Sequence, residues 1–237
     1  MYEVKVLQEG YSLVNPDGSM SANCSCTLLS YHPNKVDTLG NRDNSERRSN
    51  KVIVDTLSPW DRETLVGLLS AENVQVEDIT HVICTHGHPD HTGNNNLFTS
   101  AKLHIVGHSI YHRDTYLEHE FSKGKSYQLD GKDLVVAPTP GHTLDSVCVL
   151  VNTREGRVCL AGDLFEKVED IEDTSIWKEA GSESEICQIT NRSKVLFNSD
   201  FIVPGHGPMF RVTNAMKLSA QTSMKNISVN TFGFQTI

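Results

Sequence analysis

Thr85-His86-Gly87-His88-Pro89-Asp90-His91-Thr92-Gly93 follows directly on the apolar run 80–84. Three imidazoles and a carboxylate fall within six residues, in a chain that has 11 histidines altogether. Neutral imidazole with carboxylate is the donor set of zinc and similar divalent ions. The bland alternative is a polar loop that happens to be rich in histidine. A strand end suits the chemistry better, since a rigid strand fixes the loop while Gly87 and Gly93 let the backbone turn and several side chains converge.

Three later sites repeat the arrangement of an apolar run, a metal-capable residue and small or turn residues. They are Pro140-Gly141-His142-Thr143, Ala161-Gly162-Asp163 and Pro204-Gly205-His206-Gly207-Pro208. Singly each is weak, because a lone His after Gly is commonly a capping or core residue. Their order beside the first cluster gives them weight.

Apolar runs bounded by turn residues recur at 2–7, 26–31, 51–55, 80–84, 103–106, 134–137, 146–151, 157–161 and 201–203, which makes nine expected strands. Helical patterns lie between them. One opens at Pro59-Trp60-Asp61, with Ser58 as N-cap and Leu65, Leu68 and Leu69 as its apolar stripe. A second is expected after Asn94 and a third over 182–198. Strands with intervening helices and no internal repeat make an α/β or α+β domain. Residues 39–50 (LGNRDNSERRSN) read as a mobile loop, 1–212 as one domain and 213–237 as a surface tail.

The 237 residues carry a net charge of −9, which at first sight disfavours a nucleic-acid partner. Yet the block 163–185 alone accounts for −7 of it, while Arg42, Arg47, Arg48 and Lys51 gather near the early loop and the segment from Arg211 onward has no acid. No apolar stretch approaches the ~20 residues of a membrane span. An N-terminus with acids where a signal peptide needs basic and then apolar residues argues against secretion. Six cysteines without framework spacing read as reduced thiols in a cytosolic or nuclear protein.

The order HxHxDH, then single His, Asp and His, resembles the signature of the metallo-β-lactamase superfamily, over about 52–208. The resemblance implies a single α/β domain, a four-layer αβ/βα sandwich with metals at one edge between its two sheets. It implies two divalent ions, zinc first with iron or manganese as alternatives. His86, His88 and His142 would hold one ion, Asp90, His91 and His206 the other, and Asp163 would bridge them. Two such ions ~3.5 to 4 Å apart share a water and lower its pKa toward neutrality, which supplies a bridging hydroxide as nucleophile. Asp90 is then the expected general base.

These ligands serve many different bonds, so substrate must be read elsewhere. Segments 51–60, 86–98, 161–166 and 203–212 resemble a short animal branch of the superfamily, described as homodimeric endoribonucleases of nucleus and cytosol that act on histone pre-mRNA. The alternatives are a glyoxalase II-like hydrolase of a small ester or thioester, and a metal-bearing binding protein without turnover. Only 31 residues follow His206, too few for the helical domain that holds glutathione in glyoxalase II. His108 is a candidate substrate contact. Thr143 and Ser146 are expected to bond backbone or ligand-supporting groups, Asp55 to support the site or fix its loop, and Trp60 to pack at the helix start. His32, His81, His104 and His119 read as structural.

Overall fold

Continuous apolar runs, as in 147–151, mean strands buried on both faces, and the alternation of their partners shows how. A computed structural model of the chain describes residues 1–32 and 50–222. Its first sheet holds, in spatial order, β1 (Tyr2–Gln8), β4 (Cys26–Tyr31), β5 (Lys51–Val54), β6 (His81–Cys84), β7 (Leu103–Val106), β8 (Ser109–His112) and β9 (Thr115–Leu117). The second holds β10 (Tyr127–Asp130), β11 (Leu134–Pro138), β12 (Val147–Asn152), β13 (Arg157–Gly162), β14 (Phe201–Pro204) and β15 (Phe210–Arg211). A separate hairpin joins β2 (Tyr11–Val14) to β3 (Met20–Asn23).

Val52, Val54 and Ile83 of the first sheet meet Val147, Val149, Leu160 and Val203 of the second in one core between the sheets. Their alternate neighbours face outward. Ile53, Val82 and Cys84 pack under α1 (Arg62–Ala71) through Leu65 and Leu69. Cys148, Cys159 and Ile202 pack under α4 (Glu185–Asn198) through Val195 and Leu196. Helix, sheet, sheet and helix make the expected four layers. Strands β5, β6 and β7 run parallel, as do β13 and β14, and β11 shares the direction of β13 across antiparallel β12. The carboxyl ends of β5, β6, β11, β13 and β14 therefore supply the loops of the site, in the crevice where open α/β sheets bind ligands.

All nine expected strands are present; β2, β3, β8, β9, β10 and β15 are additional. Three local expectations fail. After Asn94 there is only a 3₁₀ turn, Asn95–Leu97, because the asparagine side chains bond distant groups instead: Asn94 Nδ2 donates to the carbonyls of Thr56 (2.7 Å) and Ser58 (2.8 Å), and Asn95 Oδ1 accepts from Thr56 Oγ1 (2.8 Å). Trp60 does not pack; it is 89 % exposed. It precedes Leu65 by five positions, about 140° around a helix from the buried stripe. Ser58 likewise makes no backbone cap, its hydroxyl donating to Asp61 Oδ2 at 2.5 Å. Short helices α2 (Pro89–Thr92) and α3 (Ser175–Glu179) complete the connections. Residues 214–222 are helical, with Met216 and Ala220 against the outer core of the second sheet. The loop expected at 39–50, except for Asn50, and residues 223–237 of the tail lie outside the described residues.

The candidate metal centre

Pro89 shapes the HGHPDH loop. As first residue of α2 it has no N–H to satisfy, and it holds His88 in extended backbone (φ −66°, ψ 149°). The chain direction changes there, so His86 and His88 face one place while Asp90 and His91, one turn on, face another. The ends of β11, β13 and β14 bring His142, Asp163 and His206 against them. Gly205 is bare for a reason: a Cβ there would overlap Asp163 Oδ1.

Two of the resulting side-chain groups match the expected ligand sets. Donor atoms of His86, His88, His142 and Asp163 lie within 4.8 Å of one another, and so do those of Asp90, His91 and His206. In the first group His88 Nδ1 is 2.8 Å from His86 Nε2 and 3.1 Å from His142 Nε2. Asp163 Oδ2 is 3.4 Å from His142 Nε2 and 3.6 Å from His86 Nε2. Its other oxygen turns to the second group, 3.1 Å from His91 Nε2, and Oδ2 is also 3.3 Å from His206 Nε2. Asp90 Oδ2 stands 3.8 and 3.9 Å from the same two imidazoles.

The outward ring nitrogens determine what the inward ones carry. His142 Nδ1 meets Gly181 O at 2.8 Å and His206 Nδ1 meets Asn23 O at 3.0 Å. His91 Nδ1 meets Asp55 Oδ2 at 3.0 Å. Carbonyls and carboxylates only accept, so these nitrogens hold protons, and a ring that carries no second proton aims a lone pair from Nε2 into the centre. Asp55 also accepts from Thr85 N (2.8 Å) and Thr85 Oγ1 (3.1 Å), with its backbone at φ 57°. It supports the site without belonging to either group above.

Facing lone pairs and carboxylate oxygens at such distances repel unless a cation or proton lies between them. His91 Nε2 and Asp163 Oδ1, both buried, are close but lack hydrogen-bond geometry, so neither has a hydrogen-bond partner. Imidazole and carboxylate donors aimed inward, with orphaned atoms at their meeting point, fit divalent cations.

Protons compete for the same place. Burial, then neighbouring imidazoles, hold His86 well below its usual range and His88 below it. Burial also opposes charge on His91 and His206, but Asp163 and nearby carboxylates prevail, holding His91 well above its range and His206 up to about 9. Asp163, flanked by these charges, stays well below the usual carboxylate range despite its burial. We expect His86 and His88 to take up a cation at acid pH without releasing protons, whereas His91 and His206 must each give one up. Affinity of the second group should rise from pH 6 toward pH 9 by about tenfold per proton per pH unit. Competition titrations with a chromophoric chelator at pH 6, 7.5 and 9 would show this, and equal slopes for both ions would refute it. For the cation-free fold the sign is opposite. A raised histidine pKa stabilises it below 6.5, and that contribution disappears as pH climbs through about 9.

Other sequence candidates lie elsewhere or play supporting parts. His108 stands outside both groups, stacked on Phe121 with centroids 5.4 Å apart. Thr143 Oγ1 and Ser146 Oγ bond each other at 2.7 Å and close the turn after His142. His32 pairs with Glu3, His104 stacks on Tyr111, and His119 sits edge-on to Phe121. Burial takes His81 down to about 4. The six cysteines are free thiols, five of them buried. Sequence reasoning missed Glu166, which is buried beside Asp163 and His206 and pushed up to about 8 by burial and then by Asp163.

Comparison with known proteins agrees with this architecture. Residues 46–206 match the family described as Metallo-beta-lactamase superfamily. The chain is 37 % identical to Metallo-beta-lactamase domain-containing protein 1 of Xenopus laevis, over 95 % of this chain and 88 % of that one. It is 38 % identical to the Homo sapiens protein of the same name, over 89 % and 82 %. Among solved structures, a Thermotoga maritima protein of metallo-beta-lactamase type shares the fold with a TM-score of 0.61, 20 % identity and coverage of 89 % and 99 %. The chain belongs to the metallo-beta-lactamase superfamily, whose members are generally metal-dependent hydrolases.

Proposed function

We propose that the chain is a dinuclear hydrolase that cleaves RNA phosphodiesters, as an endoribonuclease acting on histone pre-mRNA. The observation that carries this reading is likeness to one branch of the family, at 37 % identity along 95 % of the chain. No helix among the described residues is long and apolar enough to cross a membrane. A cytosolic and nuclear location and a homodimer belong to the same proposal.

Two divalent cations, zinc by our reading with iron or manganese compatible with the same donors, supply Lewis acidity and a water acidified toward neutrality. The chain's own residues do the positioning. Asp90 is the carboxylate of the centre with most access to solvent, its side chain 21 % exposed against 5 % for Asp163. It can accept a proton from attacking water and pass it outward, the part of a general base. Asp55 and the carbonyls of Asn23 and Gly181 hold His91, His206 and His142 in fixed orientations. His88, exposed beside Asp90, marks the open side from which an extended substrate reaches the centre. The local field there is set by the bound cations rather than by the net charge of −9, so an anionic substrate is compatible with an acidic chain.

The test is metal-loaded protein with single-stranded RNA, S-lactoylglutathione and a cephalosporin, beside Asp90→Ala. We expect RNA cleavage by the wild type and about a 10²-fold loss in the variant. Thioester hydrolysis without RNA cleavage above that control would move the assignment to a small-thioester hydrolase. Two bound ions with no turnover of any substrate would make the chain a metal-bearing binding protein.

A further inference from the structure

We propose that Glu166 is an eighth protein donor of the metal centre, a carboxylate that closes the buried side of the cation held by Asp163 and His206. The inference rests on the dinuclear reading above.

Glu166 is 2 % exposed. Its Oε1 has no hydrogen-bond partner, and its Oε2 is 3.9 Å from His206 Nε2. A carboxylate oxygen of Glu166 lies within 4.8 Å of donor atoms of both Asp163 and His206. A buried carboxyl without partners is costly, and hydrogen bonds or a cation are what offset it.

Among the described residues the carboxyl accepts no hydrogen bond, and its one basic neighbour is His206, itself a candidate ligand. Arg192 is committed to Asp170 through Nη1 (2.9 Å) and Nη2 (2.5 Å) and to Leu164 O (2.8 Å). Among the described residues the one ion pair of Glu166 is with His206. Nor is the carboxyl there to cap a helix, since none of its oxygens accepts a backbone N–H among the bonds of this region. Its backbone, by contrast, is tied at both ends. Glu166 N donates to Asp170 Oδ2 at 2.7 Å, and His206 N donates to Glu166 O at 2.8 Å. Ligand and glutamate are thus coupled through the main chain, and the side chain has one direction left to it.

Charge points the same way. Two divalent cations bring +4 against the charges of Asp90 and Asp163, so a third carboxylate lowers an excess that buried imidazoles cannot. Asp90 reaches the pair His91 and His206 from the more exposed side and Glu166 reaches His206 from the buried one, so the open face stays free for substrate.

Glu166→Gln tests this without an activity assay. Zinc competition titrations should find one ion within about twofold of wild-type affinity and the other weakened about 10- to 100-fold. With cobalt substituted, the visible absorption of the weakened site should change in intensity. Melting should reverse in sign: cation-free Glu166→Gln melts at or above wild type, metal-loaded Glu166→Gln below it. A merely structural glutamate would shift both forms in one direction. Two ions bound at wild-type affinity with an unchanged cobalt spectrum would overturn the proposal alone. Fewer than two ions in the wild type would overturn the dinuclear reading and this inference together. Should Glu166→Gln not fold, Glu166→Asp, which keeps the charge but withdraws it, decides by the same titration, with intermediate weakening expected and none refuting.

Discussion

Asp163→Asn is expected to lower the hydrolytic rate about 10⁴-fold and to reduce the metal content from two ions toward one. Asp163 is the residue whose oxygens reach both ligand groups, Oδ1 at 3.1 Å from His91 and Oδ2 at 3.3, 3.4 and 3.6 Å from His206, His142 and His86. Asparagine preserves its volume but removes the charge that two cations would share in the proposed centre. A 10⁴-fold loss corresponds to about 5.5 kcal/mol of transition-state stabilisation, within the several kcal/mol that a bound divalent cation contributes. Elemental analysis with steady-state kinetics on the same preparation checks both parts. Two ions retained with a rate within tenfold of wild type would contradict the shared-carboxylate account. Circular dichroism should be unchanged, since the side chain is replaced by one of equal shape.

Asp170→Ala should destabilise the protein by about 3–5 kcal/mol, the usual cost of removing one partner from a buried ion pair. Asp170 is fully buried against Arg192, whose guanidinium lies 4.2 Å from the Phe165 ring centroid and 5.5 Å from that of Trp177. Without Asp170 a cation is stranded among aromatic rings, and Glu166 N loses its acceptor. Replacing both partners, Asp170→Leu with Arg192→Met, should cost less than the single change, because no charge is left buried alone. Urea unfolding in the presence of chelator measures this. A single variant within about 1 kcal/mol of wild type would show the pair to be hydrated or dispensable.

Much of the fold was readable because it is buried on both faces. A strand such as β12 alternates Val inward with Cys and Leu outward, and both sets are apolar, so the run stands out in sequence. Strands β9 and β2 do not stand out because little in them is covered: all of Thr115–Leu117 is exposed, and so is most of Tyr11–Val14. The expected helix after Asn94 failed for a different reason, since whether asparagine side chains bond their own turn or a distant loop depends on tertiary placement. The seven candidate ligand positions were readable because each carries a distinctive residue just beyond a strand. What supports them was not. Gly181 and Asn23 act through carbonyl oxygens, which every residue has, and Glu166 sits in an acidic stretch that reads as a solvated surface until Asp170 and Arg192 turn it inward.

His86, His88, Asp90 and His91 come from behind one strand of the first sheet, while His142, Asp163 and His206 come from the second. Neither sheet owns a complete cradle. In kinetic terms we expect a latch rather than a nucleus: the full donor set needs both layers, so a bound ion acts once they have met. It can only slow their parting, which places the ion's contribution to lifetime on the unfolding limb.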